Sequence, residues 1–497
     1  MELLVIGFDG ADYQLIQELA EEDKLPNIQK LMDSGTYGEL ESTQIPITPS
    51  AWTSFMTGKN PGKHGIFDFT KVTSKGLEVV SFDDVEDDTI FDILSEDYTI
   101  GTLNIPATYP PRELNGFMVS GMMSPSIDKA TDSEDVKEIL EEEDYLIEVP
   151  GTYNGSNEEK LLDQCYETLE TREKTALRLM DEKDMDVFMP VFTVGDRISH
   201  WFWKYRDPKH PEFEECDYRR EVEKIYMKID KSIGKLIEKA GKDTNIVLMS
   251  DHGFTGLYKG LNLNKLLMEK NMLNIKKHPV SQLRYLAFKA GITMENVYKV
   301  VRTLGLEEFV KSAADNPEND RMRKILSLPF LSFSDIDFDR SQAYSALHFG
   351  PIFTLEDGCE EDLIELLRGL EHESENIVEN IEKGEEIYSG KYAEDAPDIV
   401  YQTEGMHYQA HRYFEFGSNK IFSEPFNTES GHHRLEGIYI ASGPDFNNKG
   451  RKDASIIDIA PTILSMMGEK IPGDMDGETL DISDGKVEYD ETVISDF

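Results

Sequence analysis

Cysteine is scarce in this chain: Cys165, Cys216 and Cys359 are the only three in 497 residues. They are odd in number and far apart, which excludes a disulfide framework and a thiolate metal site. Long apolar runs are lacking too. Nothing approaches the ~20 residues that a membrane span needs. The first apolar run, Leu3-Leu4-Val5-Ile6, stops at Gly7 and lacks the basic start of a signal peptide. The chain is therefore expected to be soluble and cytoplasmic, with no membrane span. Positive charge is the third shortage. Against 97 Asp and Glu stand 51 Lys and Arg, a net charge of −46. Such a surface repels nucleic-acid backbones and anionic membranes, so general binding to a phosphate backbone is disfavoured and no nucleic-acid binding is expected. Two accounts of the acidity stand. One is a halophilic surface screened by a salt-rich cell interior, which we favour; the other is simply an acidic protein.

What is present is a globular composition. Hydrophobic residues make up 39% of the chain, enough to bury a sizeable core. The length suits about two to four domains, or one large α/β core with insertions. Strands are predicted over 2–6, 99–105, 116–120, 187–194, 245–249 and 437–442. Helices are predicted over 12–19, 26–32, 52–57, 90–94, 218–240 and 456–467. The alternation points to parallel βαβ units. Residues 133–184 are charged and helical, and 266–427 are mixed and less periodic, with a basic helix near 297–304. The chain from Asp484 onward reads as an acidic tail.

Asp and His residues gather where predicted strands end. Asp9 follows the first strand, and Asp196 follows the 187–194 run with His200 four residues on. Asp251-His252 ends 245–249, and His432-His433 precedes 437–442. In open α/β sheets ligands bind beyond the carboxyl ends of the strands. Asp196 and His200 share a face if their turn is helical. Mixed carboxylate and imidazole ligands suit zinc, with manganese or iron as alternatives. Each piece alone has an ordinary reading as a helix cap, a surface pair or a solvated turn; the ordered set does not. A second constellation is Thr48-Pro49-Ser50-Ala51-Trp52, ahead of Thr57-Gly58. A hydroxyl at a helix N-terminus is usually a cap, and it is also where a metal-activated nucleophile would sit. Trp52 reads as core, with substrate stacking as the minor alternative. Lys59, Lys63 and His64 could add positive charge, although solvated surface is the simpler reading of the lysines.

Several motifs in this order resemble the alkaline phosphatase superfamily, and most of all its type I phosphodiesterase/nucleotide pyrophosphatase family. They are Phe8-Asp9-Gly10, Thr48 with Thr57-Gly58, Pro61-x-x-His64-Gly65-Ile66, Asp196-x-x-x-His200, Ser250-Asp251-His252-Gly253 and Gly431-His432-His433-Arg434. Asn60–Phe69 looks like prokaryotic, especially archaeal, members, and Asp458–Leu464 with Asp474–Gly477 resembles the family's closing helix and loop.

The resemblance implies an alkaline phosphatase-like fold: a doubly wound, mostly parallel α/β sheet flanked by helices, with inserted cap or lobe segments. Its catalytic core would be 1–265 with 428–482. Residues 133–184 would be a helical insertion, 266–427 an inserted lobe and 484–497 the tail. It also implies two divalent metal ions, usually zinc. Carried over residue by residue, Asp9, Asp251 and His252 would hold the ion beside the nucleophile, and Asp196, His200 and His433 the other. Thr48 would be the nucleophile, with Ser50 as runner-up; His433 is chosen over His432 because the family pattern reads Gly-x-His. Lys63 and His432 are further candidates.

Ala51 departs from the family, which has a phosphate-binding Asn there, so backbone at 49–51 or a group elsewhere would take over. The implied activity is hydrolysis of a small anionic phosphoester, a phosphodiester or nucleotide pyrophosphate. The alternatives are a phosphomonoesterase or phosphonate hydrolase, a phospho-group transferase acting on a sugar or lipid, and a non-catalytic metal-binding protein.

Overall fold

In the computed structural model the described residues are 1–73, 76–303, 330–410, 416–425, 429–447, 449–483 and 487–490. The predicted tail at 484–497 falls mostly outside them. A nine-stranded sheet organises the chain. Its main strands are β1 (Leu3–Phe8), β2 (Thr36–Glu41), β3 (Ile100–Ile105), β4 (Gly116–Ser120), β5 (Val187–Phe192), β6 (Asn245–Met249) and β7 (Glu436–Ser442). They lie in the order β2-β7-β6-β1-β5-β3-β4, with two short strands beside β2. β1 pairs in parallel with β5 and β6, and β3 in parallel with β4 and β5. β7 alone among these strands runs against its neighbours, β2 and β6. The architecture is the expected mostly parallel α/β sheet flanked by helices.

The central strands read as unbroken apolar runs because both of their faces are covered. Side chains alternate between two cores. Leu4, Ile6, Phe8, Phe188, Phe192, Ile246 and Leu248 face one of them. It is closed by α1 (Tyr13–Glu21), α2 (Pro26–Ser34), α4 (Glu158–Glu182), α5 (Val194–Arg206) and α6 (Glu221–Ala240). Leu3, Val5, Val187, Met189, Val191, Val247 and Met249 face the other, against α3 (Thr48–Thr57) and α7 (Ile459–Met467). Trp52 is fully buried in this second core, its ring 5.9 Å from Phe55. It is a core residue and not a stacking platform for substrate.

Two boundaries beside the site differ from expectation. The predicted strand 187–194 ends at Phe192, and Val194 already opens α5. The first turn of α5 is buried as well, and an apolar run alone does not separate a buried strand from a buried helix start. The helix expected from Trp52 begins four residues earlier, at Thr48. Pro49 fits its first turn, where no N–H is needed.

Described residues of 261–303, 330–410 and 416–422 form a separate core built around Leu267, Ile336, Leu363 and Ile399. It includes a four-stranded antiparallel sheet, Ala343–Ser345, Ile352–Thr354, Ile399–Thr403 and Val378–Lys383. This lobe is fastened to the segment before and after α3. Tyr392 donates its N–H to the Gly62 carbonyl at 2.7 Å, and Gln402 donates to the Gln44 side chain at 2.8 Å. Among the described residues no helix is long and apolar enough to cross a membrane.

Candidate metal centre and nucleophile

The carboxyl end of β1 delivers Asp9, the end of β6 delivers Asp251 and His252, and the turn after β5 opens α5 with Asp196 in its first turn. His200 lies one helical turn on. The reversed β7 completes the set: because it runs antiparallel, its start lies beside the carboxyl ends of its neighbours. The short strand Gly431–Arg434 just ahead of it pairs with Gly253–Gly256, setting His433 opposite Phe254. Alternation along that strand sends His432 and His433 to opposite faces.

The turn after β1 needs Gly10. Its φ is +68°, and a Cβ there would stand 3.0 Å from the Asp196 Cα. Its N–H donates to Asp251 Oδ1 at 3.2 Å. Ser250 adds a second tie, accepting from the Ala11 N–H at 2.8 Å and donating to the His252 carbonyl at 2.6 Å. Asp12 caps α1 by accepting from the Leu15 N–H at 2.8 Å.

Six predicted ligands thus converge in two groups. Asp196 Oδ1 lies 3.3 Å from His200 Nε2 and 3.2 Å from His433 Nε2, and the two nitrogens are 3.0 Å apart. In the other group His252 Nε2 lies 3.3 Å from Asp251 Oδ2 and 3.8 Å from Asp9 Oδ1. All six side chains are buried.

Each imidazole has its Nδ1 committed to a backbone carbonyl: His200 to Gly431 at 3.0 Å, His252 to Gly253 at 3.0 Å and His433 to Pro46 at 2.7 Å. A carbonyl only accepts, so Nδ1 carries the hydrogen and every Nε2 presents a lone pair to the cluster. Lone pairs facing each other at 3.0 Å repel unless a cation lies between them. Ligands at about 2.0–2.1 Å around a tetrahedral ion stand about 3.3 Å apart, which matches the Asp196, His200 and His433 spacings. Both oxygens of Asp9, Asp196 Oδ1, Asp251 Oδ2 and His252 Nε2 have no hydrogen-bond partner. The residues present therefore fit divalent metal ions.

The electrostatics agree. Burial, and then the charges of Asp251 and Asp196, hold the Asp9 carboxyl well above its usual range. Burial does the same to Asp251, with Asp196 adding to it. For Asp196, burial pushes upward, and positive charge at the His200 and His433 ring nitrogens, the place a bound cation would take, holds its pKa well below the ordinary value. Burial and the neighbouring His433 hold His252 well below, and the two rings stack 3.6 Å apart. A site with three carboxylates out of water needs added positive charge to keep them ionised.

Thr48 is buried in the first turn of α3. Two bonds hold the segment leading to it against the ligands. His433 donates to the Pro46 carbonyl, and Ser42 Oγ donates to the Asp251 carbonyl at 2.6 Å. Ser50 is buried two residues on. Pro49 has no N–H, and that of Ala51 already bonds the Ile47 carbonyl at 3.0 Å. Of the backbone donors expected at 49–51, Ser50 N–H remains ahead of the first helical bond.

Other candidates are placed elsewhere. His432 donates through Nε2 to the Met406 carbonyl of the lobe at 2.7 Å. Lys63 follows the far end of α3, in the short helix Pro61–His64 beyond it. Its ammonium is taken by Asp476 at 2.5 Å and the Asp474 carbonyl at 2.7 Å. Lys59 is held between Asp87 and Asp474, each at 2.5 Å. His64 supplies no positive charge: burial, with Lys59 nearby, pushes its pKa down to about 3.

One residue at the rim carried no signal in the sequence. The ring of Phe349, from the lobe, lies 5.1 Å from His432 and 6.2 Å from His433. It also joins the cluster around Ile47, just before Thr48. Its neighbour His348 is clamped by Asp68, which accepts from the His348 N–H and from Nδ1, each at 2.6 Å. No motif spacing marks either residue, because lobe and core meet only in the folded chain.

The model of the type I phosphodiesterase / nucleotide pyrophosphatase family matches residues 3–325. The chain belongs to this family. Membership makes it a hydrolase of the phosphodiesterase/nucleotide pyrophosphatase kind, in a metal-dependent family. No curated protein matches it. Among solved structures, murine ectonucleotide pyrophosphatase/phosphodiesterase 5 is similar with a TM-score of 0.51 at 12% identity, covering 95% of this chain and 96% of that one. Phosphonoacetate hydrolase from Sinorhizobium meliloti 1021, solved with phosphonoacetate, has a TM-score of 0.56 at 15% identity, covering 93% and 94%. At these identities the likeness to both structures is one of fold.

Proposed function

We propose that this phosphodiesterase-family chain hydrolyses phosphodiester or nucleotide pyrophosphate bonds in small anionic substrates, with Thr48 as nucleophile and two divalent ions, zinc in the first place and manganese or iron as alternatives. Asp9, Asp251 and His252 would hold the ion beside Thr48, and Asp196, His200 and His433 the other. The observation that carries this reading is the convergence of orphaned carboxylate oxygens with three imidazoles whose Nε2 lone pairs face inward. We take 1–265 with 428–482 as the catalytic unit and 266–427 as the lobe beside it.

When bound, the ions supply positive charge that favours the Thr48 alkoxide and the departing oxygen. Thr48 Oγ attacks phosphorus in line and one ester oxygen leaves from the opposite side, giving a threonyl phosphodiester that keeps the substrate's other ester group. The N-terminus of α3 favours negative charge there, and Ser50 N–H can donate to a non-bridging oxygen. Water then attacks phosphorus, releases the phosphomonoester product and returns a proton to restore the Thr48 hydroxyl.

A diester is preferred to a monoester on one further ground. A monoester brings a second negative charge, yet Lys59 and Lys63 are spent on carboxylates and His64 is neutral. A phosphomonoesterase, a phosphonate hydrolase or a transferase to a sugar or lipid acceptor remains as the alternative. The test is turnover of bis(p-nitrophenyl) phosphate beside p-nitrophenyl phosphate, with and without a chelator. Thr48→Ala should lower kcat by roughly a thousandfold or more, whereas Ser50→Ala should keep most of it. A Thr48→Ala enzyme as fast as wild type would overturn the nucleophile; chelator resistance would overturn the ions.

A further inference from the structure

The sequence from Lys276 to Val300 inverts the charge of the rest of the chain. It holds five Lys and Arg against a single acidic residue, Glu295. The lobe forms two helices here, Pro279–Lys289 and Met294–Thr303. Their inner faces are fastened. Ser281 donates to Asp335 at 2.7 Å, the Phe288 ring lies 6.0 Å from Phe416, and Glu295 accepts from Ser418 at 2.5 Å.

The outer faces are apolar instead of polar. Leu283 is 68% exposed, Leu286 62% and Val300 57%, with Val280, Ile292 and Val297 exposed beside them. Val280, Leu283 and Leu286 recur every third residue, which places them along one side of the first helix. Exposed lysines flank these residues at 276, 277 and 289, while Lys299 is already paired with Glu295 at 2.7 Å. An apolar helix face bordered by lysines matches the chemistry of a lipid interface, where side chains enter the acyl boundary and ammonium groups stay among anionic headgroups.

We propose that these two helices are a docking surface for an anionic membrane, on which the chain rests as a peripheral protein. Charge complementarity singles out this occupant. A second copy docking through the same face would set Lys276, Lys277 and Lys289 against their own counterparts in a two-fold contact, a like-charge repulsion that an anionic lipid surface does not bring. The remote negative charge does not prevent docking, because beyond the Debye length of about 10 Å at 0.1 M salt it is screened, whereas lysines in contact are not. The inference concerns a surface separate from the metal centre and stands whether or not Thr48 is the nucleophile.

Flotation of the full-length protein with lipid vesicles tests it. Vesicles of phosphatidylcholine and phosphatidylglycerol in equal parts should carry the protein, and pure phosphatidylcholine should carry little. Leu283→Glu with Leu286→Glu, both solvent-exposed positions, should cut the bound fraction about tenfold while the melting temperature stays put. Lys276→Glu with Lys277→Glu should cut it several-fold. Failure of the wild type to float with anionic vesicles would overturn the proposal, as would equal flotation with neutral ones or an unaffected Leu283/Leu286 variant. A concentration-dependent dimer abolished by Leu283→Glu would assign the face to a second copy and overturn it as well.

Discussion

Which nitrogen of an imidazole holds the hydrogen decides what the other can do, and neighbouring residues here are assigned opposite answers. His433 gives its Nδ1 hydrogen to Pro46 and turns Nε2 toward Asp196, while His432 gives its Nε2 hydrogen to Met406 on the other face of the strand. His433→Ala should therefore lower the metal content of the dialysed protein by one equivalent and reduce diesterase activity by about a hundredfold or more. His432→Ala should keep the metal content, with a cost confined to stability. Elemental analysis beside kinetics separates the two; equal metal loss in both variants would remove the distinction.

His64 gives a prediction about acid stability. Ile66 N–H donates to its Nδ1 at 3.1 Å and Ser54 Oγ lies 2.8 Å from its Nε2, so the buried ring is neutral. Its pKa falls from 6.5 to about 3 in the folded chain. Between those values the unfolded chain binds a proton that the folded chain does not. This contribution to stability is complete above pH 6.5, shrinks as pH falls toward about 3, and changes no further below that. In His64→Gln the loss of stability on acidification should be shallower by about 1.4 kcal/mol per pH unit in this window. Urea midpoints across the window measure it, and parallel slopes would show that His64 titrates normally.

At the scale of elements, the strand ends were legible and the lobe was not. Asp9, Asp251 and His252 end buried apolar runs, and a carboxylate or imidazole there has little packing rationale, so the pattern shows through. Asp196 and His200 needed only the helical spacing of four. The choice between His432 and His433 came from the family pattern alone; its physical reason, the two-residue period of a strand, requires the pairing with Gly253–Gly256. The Pro46 carbonyl, the Asp68 clamp and Phe349 left no trace, since backbone acceptors have no residue signature and contacts between distant segments have no period.

The clamp can be tested as an element. Leu347 and Phe349 have φ of +70° and +64°, conformations that cost a non-glycine residue about 1–2 kcal/mol each. Two hydrogen bonds from His348 to Asp68 hold the turn against that cost. Asp68→Ala should relax the turn and withdraw Phe349 from the rim. We expect KM for an aromatic diester to rise about tenfold, equivalent to about 1.4 kcal/mol, with kcat within a few-fold. Phe349→Ala should reproduce that split. A fall in kcat at constant KM in either variant would mean that the turn supports the reacting groups instead of the substrate.

For the molecule as a whole, the controlling quantity is 97 acids against 51 bases. Many lysines are already paired, such as Lys24 with Glu223 and Lys235 with Glu173, so much of the remaining carboxylate charge repels across the surface. Two such charges ~10 Å apart in water cost only about 0.4 kcal/mol, but an excess of this size multiplies the cost over many pairs. Unfolding spreads the charges apart, so repulsion weighs on the folded state more heavily. Salt shortens the Debye length from about 10 Å at 0.1 M to about 3 Å at 1 M and should remove most of that penalty. The melting temperature should therefore rise steeply with potassium chloride over this range. The origin of the effect is checked by pH: near the sequence pI of about 4.5 the excess charge vanishes and the salt dependence should flatten. If the melting temperature is as high at low salt as at 1 M, the acidic surface is no adaptation to salt. If it rises with salt equally at neutral pH and at the pI, the stabilisation comes from the general effect of salt on apolar burial and not from screening.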